Sequence, residues 1–249
     1  MSQALQSFSK ASELGAFLKE HESNLRIALP KHLDADRLIR LAQTQWAMNK
    51  AIQKCTPRSI LQSVMAAAQL GLEPGVTGQG YIVPYKETAQ FIPGWQGLVG
   101  LLNNTGKATV WTGAVFEGDT WEFCLGSSPK CHHVPGDNYG DPSKLIWVYA
   151  CGQVNGSQMP VIEAWPMSRV IKHRDKTNKV GQSHYSYQHL EMYARKVVLL
   201  QVLKYMPKSV QLSAAVDATN MNEDGRAYRM DNWSGRSRRR HPCRWAGRW

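Results

Sequence analysis

Acidic side chains are scarce: nineteen Asp and Glu stand against thirty Lys and Arg, a formal charge of +11 in 249 residues. That imbalance is the electrostatic footprint of a chain that meets a polyanion. It also disfavours two-metal phosphodiester cleavage, which gathers several carboxylates at strand ends, because the strand-like segments here hold almost none. There is no Gly-Lys-Ser/Thr, hence no phosphate-binding loop of the ATP-hydrolysing kind, and no nucleotide cofactor is expected. A Gly-x-Ser-x-Gly elbow is also missing, and no Cys, His and acid are spaced as a recognisable triad.

Cysteine is sparse and odd in number: Cys55, Cys124, Cys131, Cys151 and Cys243. No pair has the spacing of a structural zinc site, even with His132 and His133 nearby, so no metal is expected. Loop histidines in solvent and buried thiols are the plainer reading. Long apolar runs are lacking too, which predicts neither a signal peptide nor a membrane partner and places the chain in a reducing cytoplasm.

Against these absences stands a dense glycine joint, Ala66 to Tyr85, AAAQLGLEPGVTGQGYIVPY. Its order is helix, glycines, strand, the reverse of a nucleotide-binding loop. Thr56 and Pro57 predict a helix start, Ile60, Leu61, Val64, Ala67 and Ala68 its buried face, and Gly71 a left-handed cap. Pro74-Gly75 predicts a turn, and Gly78 and Gly80 predict positive φ or close backbone approach.

Elsewhere the pattern predicts helices on both sides of Pro30, the second capped by Asp34 and packed through Leu38, Leu41, Ala42 and Trp46. Two short strands flank Lys86-Glu87-Thr88, with Pro84 and Pro93 confining them to edges. A short helix follows to Asn104–Gly106, then a hairpin over 108–125 turning at Glu117-Gly118-Asp119, a polar loop over 126–144, and a hairpin turning at Asn155-Gly156. A basic helix over 168–176, a long apolar helix ended by Pro207 and a last helix over 209–217 complete the domain. With no regular strand–helix–strand alternation the class is α+β: antiparallel hairpins forming a small sheet packed with helices. Residues 1–20 are expected as a flexible segment, 21–219 as the core domain, and 220–249, Arg- and Trp-rich, as a disordered basic tail.

Arg169, Lys172 and Lys176 recur at helical spacing on one face, and Arg174 and Lys179 extend the positive run. In the long helix Arg195 has Glu191 four residues before it, and Lys204 complements the C-terminal dipole. Lys196 has neither explanation. Aromatics Tyr81, Tyr85, Phe91, Trp95, Trp111, Phe116 and Trp121 interleave with these cations; most belong to a core, and a minority on a basic groove would stack bases.

The segments ALPKHLDADRLIRLA, AAQLGLEPGVTGQGYIVPY, FIPGWQGLVGLL, FEGDTWEF and HLEMYARKVVLLQVLKYMP, in this order over roughly residues 20–217, resemble the RecT family of phage and prophage single-strand annealing recombinases. The resemblance implies an ATP-independent protein, not an enzyme, that coats single-stranded DNA as an oligomeric ring or filament and pairs it into an annealed duplex. It implies as partners a phage exonuclease, with a host single-strand-binding protein as a further one, in a bacterial cytoplasm. The family's Gly–aromatic–basic–Gly motif is here Gly94-Trp95-Gln96-Gly97, where Gln96 offers hydrogen bonds without charge. The candidate DNA contacts are Lys86, Trp95, Gln96, Lys107, Arg169, Lys172, Arg174, Lys176, Arg195, Lys196 and Lys204. The residues past Thr219 depart from the family's usual, more acidic C-terminal region. A metal-dependent nuclease and a single-strand protector that does not anneal are the alternatives.

Overall fold

A computed structural model describes residues 8–223 apart from 32, 179, 180, 183 and 184. The first helices, α1 (Ala11–Glu20), α2 (Glu22–Ala28) and α3 (Ala35–Met48), pack together and against α4 (Pro57–Leu70). Asp34 caps α3 by accepting the backbone N–H groups of Asp36 and Arg37, while Leu38, Ala42 and Trp46 are buried as the periodicity predicts. Thr56 caps α4, Pro57 opens it, and Gly71 closes it at φ 69°, a conformation that penalises any residue with a Cβ. Residues 1–20 are expected to be flexible, yet α1 is a helix whose Leu14 and Leu18 are fully buried. Two leucines at i, i+4 are a thin stripe in sequence, and docking on α3 completes it.

The glycine joint leads into β1 (Gly80–Tyr85), paired antiparallel with β2 (Thr88–Pro93). A Cβ at Gly78 would sit 1.7 Å from Gln96 Oε1, and one at Gly80 would sit 2.2 Å from the Phe91 ring. The close approach these glycines permit is therefore to the chain's own side chains. Next comes α5 (Trp95–Asn103), with Leu98 and Leu102 in the core.

A three-stranded antiparallel sheet of order β3-β6-β7 is built from β3 (Ala108–Phe116), β6 (Leu145–Val154) and β7 (Val161–Pro166). The expected hairpin over 108–125 does not form. Instead β3 pairs with β6, and β4 (Thr120–Cys124) pairs with β5 (Lys130–Val134), which lies inside the stretch expected to be loop. The register breaks between Val115 and Phe116, Gly118 has φ 91°, and Asp119 accepts the backbone N–H groups of Phe116 and Gly136. These bonds swing the chain off the sheet, leaving β3 to the ten-residue β6. The Asn155-Gly156 turn is present, closed by Ser157 N–H donating to Val154, with Gly156 at φ 84°.

Because side chains alternate across a strand, Val110 and Ala114 of β3 share a face with Val148, Ala150 and Gly152 of β6. That face is buried. It packs on α8 (Leu190–Val202), whose Val197, Val198, Leu199 and Val202 are nearly inaccessible. The other face carries Trp147, Tyr149 and Cys151, covered by the β4–β5 ribbon through Trp121 on Tyr149 and Phe123 on Trp147, at 4.9 and 5.2 Å between ring centroids. After β7 come α6 (Met167–Thr177) and the single turn α7 (Tyr185–Gln188), and after α8 comes α9 (Val210–Glu223), longer than the 209–217 expected and packed on β2, α4 and α5. The described architecture is α+β, as the pattern predicts. The residues after Glu223 lie outside the described part, and so does Lys179.

Candidate nucleic-acid interface

Helix α6 buries Met167 and Val170 and turns Arg169, Lys172 and Lys176 outward. Arg169 is held in place from beneath: its guanidinium lies 3.9 Å from the Trp165 ring centroid, and Glu163 stands 3.7 Å away. Arg174 is folded back instead, 4.0 Å from the Tyr187 ring and donating to Asp175, with its side chain 13% exposed. Two of the expected contacts on α8 are similarly internal. Arg195 donates to Glu191, the predicted i,i+4 pair, and to the Thr112 carbonyl of β3 at 3.0 Å. Lys196 is 5% exposed, its ammonium 6.0 Å from the Tyr185 ring centroid. Both tie α8 to neighbouring elements.

Lys204, just past α8, remains exposed and donates to Gln201. It converges with α6 on His173. That imidazole is half-buried, its Nδ1 3.2 Å from the Tyr193 hydroxyl and its ring packed edge-on against Trp165 at 5.5 Å. Burial, then the charges of Arg169, Lys176 and Lys204, hold its pKa below the ordinary histidine value. Beside it opens a cavity of about 310 Å³ lined by the apolar Val197, Leu200 and Val216 and by the polar Gln201, Lys204, Lys208, Asp217 and Asn220.

The remaining candidates are distributed elsewhere. Lys86 is exposed at the β1–β2 turn with φ 55°. Trp95 is half-buried at the start of α5 and Gln96 exposed beside it, over Gly78. Lys107 is exposed between α5 and β3, and its carbonyl accepts from Asn155 N–H. None of these is among the groups around His173. Among the aromatics, Phe91 and Phe116 are core, whereas Tyr81 and Trp111 are about half exposed at 48% and 47%.

A second cluster lies under the β4–β5 ribbon. His133 bonds Asp119 through Nε2 at 2.8 Å and lies 3.3 Å from the Tyr149 hydroxyl through Nδ1. It is thus no solvent histidine of a loop, though His132 beside it is exposed. Burial raises the Asp119 carboxyl, but donors from Phe116, Gly136 and His133 outweigh it and leave the group below its usual range. Burial, with Cys131 and Cys151 adding to it, pushes Tyr149 up to about 12. The Cys131 thiol hydrogen-bonds that of Cys151, which this bond and burial push upward. Asp119, His133, Tyr149 and the two thiols partner one another, as in a structural network, while the buried Trp121 indole N–H beside them has no hydrogen-bond partner among the described residues. Among the described residues no group of three or more His, Cys, Asp and Glu could hold a metal ion, and no helix there is long and apolar enough to cross a membrane.

The model of the RecT family matches residues 36–231, most of the chain and all of this basic surface. The chain belongs to the RecT family. It is 29% identical over 219 residues to "Protein RecT" of Escherichia coli (strain K12), covering 83% of this chain and 80% of that protein. It is also 30% identical over 186 residues to "Uncharacterized protein YqaK" of Bacillus subtilis (strain 168), 72% of this chain but only 61% of the relative's length.

RecT membership makes this a DNA-binding, single-strand annealing recombination protein, with single-stranded DNA and its own copies as partners. Within that frame the cluster adds His173, Lys208, Gln201 and Asn220, which the residue pattern did not single out. His173 was legible, lying four residues after Arg169 and three before Lys176 on the same face. Lys208 was not, because only the packing of α9 brings the segment after Pro207 beside α6.

Proposed function

We propose that this RecT family chain holds single-stranded DNA across the α6–α8 surface and pairs it with its complement without ATP, working as a ring or filament of copies. The observation that carries this reading is the convergence of Arg169, Lys176 and Lys204, from two elements, around one half-buried imidazole. Such charge density along a face attracts phosphates irrespective of sequence. Exposed Lys172 and Lys208 widen that face. Pairing is downhill once strands are held extended, so an annealing protein needs no covalent step. The lack of a Gly-Lys-Ser/Thr motif supports ATP independence. In a cell it would act on the single strand a phage exonuclease leaves, beside a host single-strand-binding protein.

Mixing labelled complementary oligonucleotides with the purified chain and following both pairing and strand length tests the reading. Faster pairing of intact strands without nucleotide is expected. Metal-dependent shortening of the strands would make it a nuclease, and binding without acceleration a protector.

A further inference from the structure

His173 and its cavity are more than a bystander to the basic face. Val197, Leu200 and Val216 line the cavity together with Lys204 and Lys208. An anion seated there would share the cavity with Lys204, Lys208 and His173, against one carboxylate, Asp217. His173 meets the Tyr193 hydroxyl through Nδ1, so the ring's two nitrogens have distinct roles. The groups that set its charge come from every element around it: Arg169 and Lys176 on its own helix, Tyr193 and Lys204 on and after α8. From β7 there is Trp165, whose indole donates to Glu163, and Lys208 and Asp217 line the cavity from the α9 side. Burial, and then the excess of cations over carboxylates, disfavour the protonated ring while the site is empty.

We propose that this cavity is a phosphate subsite of the DNA surface, and that a bound strand favours the protonated form of His173 in it. This rests on the single-strand-binding reading above. A phosphate diester over Lys204 and Lys208 offsets the charges that oppose protonation and accepts a hydrogen bond from the protonated ring. Binding therefore takes up a proton, and by linkage the strand binds more tightly as pH falls, by up to about tenfold per pH unit for one proton.

The probe is an oligothymidylate, whose bases titrate only far above this range. Two arms use the full chain. The first follows deuterium exchange at the His173 ring by mass spectrometry across pH 5–8, free and bound; the ring pKa is expected to rise by about one unit on binding. The second compares affinity against pH for wild type and H173Q; the difference between the two slopes is the share of His173, and identical slopes overturn the inference. A ring titration that is unmoved or lowered by the strand overturns the inference and leaves DNA binding standing. Absence of any binding by wild type at pH 7.5 overturns the reading beneath it as well. Should H173Q fail to fold, the exchange arm on wild type decides alone.

Discussion

Lys172 and Lys196 carry the same charge on adjacent helices, yet only Lys172 meets solvent. Their alanine variants should therefore part company. K172A is expected to keep its stability within about 0.5 kcal/mol while the slope of log affinity against log salt falls by about 0.7. K196A removes a buried cation with partners in the fold and should cost about 1–3 kcal/mol. Denaturant melts beside salt titrations separate the two; a K196A protein of wild-type stability with only its salt slope altered would put Lys196 on the DNA. Asp119 supports a pH prediction. Its folded pKa lies below the ordinary 3.8, so its contribution is complete above that value and is lost as pH falls through the depressed range. The melting temperature should drop on acidification below about pH 4, and D119N should start lower and lose part of that drop.

At the scale of elements, local pattern and fold diverge most at α1 and the β4–β5 ribbon. Both are completed by a partner distant in sequence. Leu18 is fully buried against the first helices, so L18A should destabilise the domain by about 2–5 kcal/mol, measurable by urea melts. A variant as stable as wild type would return α1 to the flexible segment expected from its weak periodicity. The ribbon was hidden for a different reason. Its strands alternate exposed and half-buried side chains, and β5 reads Lys-Cys-His-His-Val, with no β-branched residue before Val134. Only Trp147 and Tyr149 beneath it give its inner face something to cover. Helices α3 and α4, by contrast, carry their N-caps and most of their buried faces in adjacent residues, and these were legible, as was the Gly71 stop of α4, though Leu41 and Leu61 are only half-buried.

Across the whole molecule, charge is the property that matters most and packing the one that arranges it. Residues 224–249 hold eight arginines and two aspartates, so a chain ending at Glu223 should melt as the full chain does, bind single strands more weakly and show a shallower salt dependence. Loss of folded protein on that truncation would mean the removed residues stabilise the domain. An affinity indifferent to salt would point to base stacking in place of phosphate contacts.

Sequence alone determined the family through its ordered segments, the α+β class through the spacing of its apolar residues, and the basic character through a simple excess of Lys and Arg. Each depends on residues near one another in the chain or on composition, neither of which needs three dimensions. Tertiary structure decided which cations face outward. Arg174, Arg195 and Lys196 are drawn inward, to the Tyr187 ring, to Glu191 and the Thr112 carbonyl, and to the Tyr185 ring, and of these only Glu191 was legible in sequence. Arg169, although it lies over Trp165, stays exposed and stands with Lys176 and Lys204 around His173. A long side chain points where its helix is docked, and that docking is set by contacts between residues far apart in the chain.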